Sequence, residues 1–194
     1  NEVGVPGNGD TATVTHAITV DTNTTIGTGS GTALTFSAAL TVANGVTFTV
    51  KGNVTQGNAN FILGTSVGAS LVLDSTGGDF TWTMGTASSQ PNCKIISNGT
   101  TGSHASISKT GSFDYYFEDF GHGVGNFDTT DWDLLYCDLT NIVNSDGTVG
   151  IRINTFGTSS VRFRNCVFDG CGTVKWFYDQ SDVSGKYSTF QDCK

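Results

Sequence analysis

Seven carboxylates, Asp114, Glu118, Asp119, Asp128, Asp131, Asp133 and Asp138, stand in one stretch that contains no Lys or Arg. Charges this dense repel unless the chain spreads them or a cation is shared among them. Asp128, Asp131 and Asp133 offer hard oxygen donors of the kind calcium gathers in sixes to eights. Their spacing lacks the alternating acids, the Gly and the distal Glu of an EF-hand, so a solvated acidic corner is the competing reading. Trp132, Trp176, Phe177 and Tyr178 supply a second chemistry, flat rings on which sugars or partner proteins stack. Filling of a narrow core is the alternative for such rings. Five cysteines, Cys93, Cys137, Cys166, Cys171 and Cys193, form no Cys-x-x-Cys pair, and His is scarce, which argues against zinc.

The elements that must position these groups repeat. Leu73, Ile95, Phe117, Leu139, Phe168 and Phe190 follow one another at a step of 22, broken once by a longer step between Leu139 and Phe168. A second column lies two positions earlier, through Leu71, Cys93, Tyr115, Cys137, Cys166 and Ser188. Side chains two apart on a strand share a face, so the two columns describe one inward strand face per turn. Ile18, Leu40 and Ile62 continue the step backwards, and Phe48 and Val50 join the columns. Thr-Phe-Thr-Val at 47–50, Ser-Leu-Val-Leu at 70–73 and Asp-Phe-Thr-Trp-Thr at 79–83 read as short strands. Gly, Asn, Ser, Thr and Asp between them build tight corners. The period predicts an all-β solenoid with about 22 residues per rung, in which Ile95, Phe117 and Leu139 form one vertical file.

That frame sets further expectations. Residues 1–194 form a single domain, with 1–60 as N-terminal capping rungs and 61–194 as regular rungs. The irregular step predicts an insertion near 143–160 that bulges from the coil, and loops on rigid scaffolds are where binding resides, which makes Asp146 a candidate contact. The stretch from Phe190 to Cys193 reads as the start of a new corner, so a C-terminal cap is expected to come from elsewhere. Rungs about 4.8 Å apart make Cys137 to Cys166 and Cys171 to Cys193 conceivable disulfides. A buried thiol ladder is the competing arrangement.

Charged residues make up 13% of the chain, about half the ~25% of average soluble domains. Thr, Ser, Asn and Gly carry the polar load instead, a surface suited to extracellular or virion proteins. A net charge of −8, with no Lys or Arg before Lys51, argues against nucleic acid as a partner. No apolar run approaches the ~20 residues that cross a bilayer.

In its inward columns and polar corners the chain resembles the right-handed parallel β-helix family, the pectate-lyase-like fold of polysaccharide lyases, pectin hydrolases, phage tailspikes and bacterial surface proteins. The opening, with Val5-Pro6-Gly7-Asn8-Gly9-Asp10, Ile18-Thr19-Val20-Asp21, Leu40-Thr41-Val42-Ala43-Asn44-Gly45 and Val50-Lys51-Gly52-Asn53, resembles the Gly-rich first module of extracellular β-helix proteins, without its usual Trp. The resemblance, together with the bias of parallel crossovers, implies a right-handed coil. It implies little about activity, since one such coil carries many functions.

Two enzymatic readings follow from the resemblance. Gly121-His122-Gly123 and Gly150-Ile151-Arg152-Ile153-Asn154 look like a degraded pectin-hydrolase signature, which would give His122 and Arg152 catalytic roles with Asp119 as an acid. That chemistry needs two carboxylates across the scissile bond. The rung before His122 reads Ser97-Asn98-Gly99-Thr100-Thr101-Gly102 and carries no acid, while Glu118 and Asp119, as neighbours on one strand, point to opposite faces. Pectate lyases pair calcium with an Arg base, and nothing ties Arg162 or Arg164 to the acidic stretch. The sequence therefore points to a non-catalytic structural or adhesive module outside a virion or cell, self-associating or joined to other subunits. A carbohydrate-active enzyme, or a module that binds polysaccharide without turnover, is the alternative.

Overall fold

The computed structural model describes residues 10–85, 93–119, 129–143, 149–155, 159–178 and 188–194. Within these, the side chains of 119, 129–131, 152–155, 159–161, 174–178 and 188–189 lie outside the description. Strands form three walls. The first holds β1 (Ala12–Val14), β4 (Thr32–Phe36), β7 (Asn53–Gln56), β10 (Phe80–Met84), β13 (Tyr115–Asp119), β16 (Val149–Thr155) and β19 (Thr173–Tyr178). The second holds β2 (Ile18–Val20), β5 (Leu40–Val42), β8 (Asn60–Leu63), β11 (Lys94–Asn98), β14 (Thr129–Leu135), β17 (Ser159–Arg164) and β20 (Ser188–Gln191). The third holds β3 (Thr24–Ile26), β6 (Thr47–Val50), β9 (Ser70–Asp74), β12 (Ala105–Thr110), β15 (Cys137–Thr140) and β18 (Val167–Asp169). Every third strand stacks in parallel on the last, which makes the chain an all-β parallel β-helix.

The strands form because each alternates apolar and polar residues, so one face of every wall enters a shared interior. In β8 and β9 the alternation is complete, with Phe61, Leu63, Leu71 and Leu73 buried and Ile62 and Val72 turned outward. Aromatic rings link rung to rung. Trp82 meets Phe61 at 4.8 Å between centroids and Phe117 at 5.6 Å, Phe117 meets Trp132 at 4.9 Å, and Trp132 leads on to Phe163 at 6.3 Å. Edge-to-face and tilted contacts of this kind add about 0.5–1.5 kcal/mol each beyond burial. The buried Gln56 amide is fully used: it accepts from Trp82 Nε1 at 2.8 Å and donates to the Ala59 and Lys94 carbonyls. Side-chain caps close the corners. Asn23, Asn53 and Asp79 each accept the backbone N–H of a residue on the following rung, Thr47, Thr81 and Asp114.

Three expectations change. The vertical step is 22 between Ala12 and Leu34 and between Ile18 and Leu40, but Phe61 pairs with Ile95, Ile95 with Trp132, and Leu71 with Ile107. The step stays wide through the middle rungs and narrows again by β19, where Ile153 pairs with Trp176, while the interior stays in register. Ile95, Phe117 and Leu139 are all buried, yet they belong to β11, β13 and β15 on three different walls, and they line one interior without forming a file. Leu40 pairs with Phe61 instead of Ile62, and that one-residue slip turns Ile62 outward. Of the stretch near 143–160 where an insertion is expected, the described part includes β16, a strand of the first wall paired to β13 and β19. Residues 144–148 and 156–158 on either side of it lie outside the described residues.

Candidate functional site

Among the described residues, the second and third walls carry outward-facing polar groups that contact one another from rung to rung. On the third wall Ser70, Ser106 and Asp138 occupy successive rungs at one register position. The spacing between rungs is about 4.8 Å. Ser106 Oγ donates to Ser70 Oγ at 2.9 Å, and His104 Nδ1 sits 2.7 Å from Asp138 Oδ1. The His104 ring also lies 5.5 Å from that of Tyr136, which turns the corner before β15 with a left-handed φ of 48°. A carboxylate on Nδ1 orients the imidazole and leaves Nε2 as the acceptor. Nucleophilic catalysis would need a hydroxyl on that nitrogen. Ser106 instead spends its proton on Ser70, and among the described residues no hydroxyl bonds His104. The arrangement presents a row of hydrogen-bonding groups to solvent.

On the second wall Asp133 is flanked from the next rung by Arg164, at 2.8 Å, and Arg162, at 3.6 Å. Two guanidiniums on one carboxylate answer its charge, so the group the sequence offered to calcium is already engaged. All three side chains are partly exposed, and pairs of this kind contribute up to about 1 kcal/mol. Lys51 and Asp74 make a further pair at 3.2 Å on the third wall. Burial pushes the Asp74 pKa up, but hydrogen bonds from the Thr76 amide and hydroxyl, with the Lys51 ammonium, outweigh it and hold the carboxyl below its usual range.

The other sequence candidates fall as follows. Trp132 is fully buried in β14, edge-on to Phe117, and offers no free face to a sugar. Among the described residues its Nε1 finds no hydrogen-bond partner. His122, Asp128 and Asp146 lie outside the described residues. For Asp119, Asp131, Arg152, Trp176 and Tyr178 only the backbone is described, in β13, β14, β16 and β19. Arg152 stands in register with Glu118 below it and Lys175 above it on the first wall, whereas Asp131 and Asp133 belong to the second. Among the described residues no group of three or more His, Cys, Asp or Glu side chains is placed to hold a metal ion.

The five thiols are free. Cys137 and Cys166 are neighbours in one file, but Cys193 joins that file and Cys171 stands apart from it, beside Asn141 and Ile142. Burial pushes the Cys137 thiol far up and that of Cys166 to about 11, so both stay protonated at neutral pH. Sequence reading missed His104 because its partner Asp138 is one rung away across a step much wider than 22. The only signal available was a lone His beside a strand.

Compared with protein-family models, curated proteins and solved structures, the chain gives no match.

Proposed function

We propose that this chain is a non-catalytic structural or adhesive module on the exterior of a virion or cell, of tail-fibre, tailspike or decoration type, working within an oligomeric assembly. The observation that carries the reading is the continuous aromatic interior, from Phe36 through Trp82, Phe117 and Trp132 to Phe163. A core packed this way resists bending and proteolysis, because every rung shares side-chain contacts and backbone bonds with the next. The low share of charged residues and the Thr- and Ser-rich outer faces suit an extracellular surface, and the resemblance to virion and bacterial-surface β-helices points the same way. The polar groups described lie on separate walls, which weighs against a two-carboxylate hydrolase or a calcium lyase of the related enzymes.

Cryo-electron microscopy of the native material tests the reading: the chain is expected as a repeated subunit with its walls against neighbours. In parallel, incubation with uronate-rich and neutral polysaccharides should release no new reducing ends or unsaturated products. A monomer that degrades a polysaccharide would replace the structural role with the enzymatic one, and retention on a glycan without turnover would make it a binding module.

A further inference from the structure

Cys137, Cys166 and Cys193 follow three equivalent corners. Each comes directly after a single residue in the left-handed region, Tyr136 at φ 48°, Asn165 at 54° and Asp192 at 51°. Vertical register stacks them. Asp138 pairs with Val167, which sets Cys137 beside Cys166. Lys194 N donates to the Cys166 carbonyl at 3.0 Å and Phe168 N to the Lys194 carbonyl at 2.8 Å, the parallel pattern that sets Cys193 beside Cys166. The thiols repeat one geometry as well. Cys166 Sγ points at the Arg164 and Leu134 carbonyls, and Cys193 Sγ at the equivalent Gln191 and Phe163 carbonyls. Neighbouring rungs put their Cα atoms about 4.8 Å apart, inside the ~4.4–6.8 Å range of disulfides. Access separates the two possible pairs: Cys137 and Cys166 are fully buried, whereas Cys193 is half-buried.

We propose that Cys166 and Cys193 form an oxidisable site that closes a disulfide between adjacent rungs, with a small disulfide such as oxidised glutathione as the oxidant. The Cys193 thiolate attacks the oxidant's sulfur, giving a mixed disulfide and one glutathione. Cys166 then attacks the Cys193 sulfur, its thiol proton passing to the departing sulfur, so that the second glutathione leaves as a thiol. Two protons and two electrons leave the pair, and both glutathiones carry them away as thiols. The bond joins the corner between β17 and β18 to the corner after β20, and Cys137 remains a thiol beneath it. This pairing differs from both bridges suggested by sequence spacing, because Cys171 sits in another file and Cys137 is shielded. The site stands independently of the proposed function.

The test treats the folded full chain with oxidised glutathione, blocks remaining thiols with N-ethylmaleimide and digests with trypsin. Residues 165–175 contain both Cys166 and Cys171, so the Cys171→Ser variant is used to make the assignment unambiguous. The expected product joins 165–175 to 187–194 and is two hydrogens lighter than the separate peptides. It should disappear in Cys193→Ser, whose circular dichroism should match that of the parent. Limited proteolysis between β17 and β20 should slow on oxidation in the parent and not in Cys193→Ser. A bridge from Cys166 to Cys137, a bridge in the wild-type chain from Cys171 to Cys193, glutathione retained on Cys193 without closure, or no oxidation at all would each overturn the proposal.

Discussion

The rungs up to β8 and those after it use the same interior and different exteriors. In the early rungs the middle of nearly every strand is an outward Thr: Thr13, Thr35 and Thr55 align on the first wall, Thr19 and Thr41 on the second, Thr25 and Thr49 on the third. Continuing the same columns, the later rungs carry Glu118 on the first wall, Asp133 and Arg162 on the second, and Asp169 on the third. Thr is β-branched and settles a pleated surface by itself, which allows tight corners and narrow rungs. The later exteriors add pairs between rungs, such as Asp133 with Arg164, and the widest steps fall in the middle rungs. Rung width is therefore a property of the corners, and stacking is a property of the core.

The largest effect should come where the two regions meet. Trp82→Ala removes the ring that touches Phe36 and Phe61 on one side and Phe117 on the other, and strands Gln56 Oε1. A loss of about 3–5 kcal/mol is expected, read by urea denaturation. A second, slower transition for either region would show that the rungs unfold as separate units.

Gly27→Ala should come next. At φ +85° its Cβ would stand 2.3 Å from the Lys51 carbonyl oxygen and 2.5 Å from Ala33 Cβ. The matched control is Gly45→Ala, where φ is +71° and the new Cβ meets nothing within 4 Å. The control should cost about 1–2 kcal/mol, from the left-handed backbone alone, and Gly27→Ala clearly more. Equal losses would remove the idea that narrow rungs depend on close backbone approach.

Alkaline pH should separate the regions. Every Cys and Tyr lies beyond residue 85, and burial raises the pKa of Tyr115, Cys137 and Cys166. A raised folded pKa stabilises fully below the unfolded value and is lost as pH climbs toward the folded one. Stability should therefore fall above pH ~9, the region of unperturbed thiols. Hydrogen exchange should locate the loss in β12 to β18 and spare β1 to β8. Uniform loss along the coil would contradict this.

The smallest effect belongs to Asp74. Its folded pKa is lowered, so its contribution is present above the unfolded value and disappears as pH falls through the folded one. Asp74→Asn should flatten the acid side of the stability profile by under about 1 kcal/mol, since the Lys51 partner is well exposed. An unchanged profile would assign acid sensitivity to other carboxylates.

Much of this was legible in the chain. Alternation at 47–50, 70–73 and 79–83 gave strands where β6, β9 and β10 stand, because a period of two is a local property. The step of 23 from Phe48 to Leu71 and the longer step from Leu139 to Phe168 were correct vertical pairs, whereas the steps of 22 beyond Phe61 misled, because there apolar residues recur once per strand and not once per rung. Three strands per rung make such columns step from wall to wall. Ile62 illustrates the hazard, since a shift of one residue exchanges inside for outside.

Local alternation, corner residues and sparse charge determined that this chain would coil as parallel β-structure with an apolar interior, since each depends only on neighbours along the sequence. Tertiary structure alone decided which residues became vertical neighbours: Asp133 with Arg164, His104 with Asp138, Cys166 with Cys193. The reason is physical. Loop length between walls sets how many residues separate two stacked positions, while hydrogen bonds and packing between rungs choose the register.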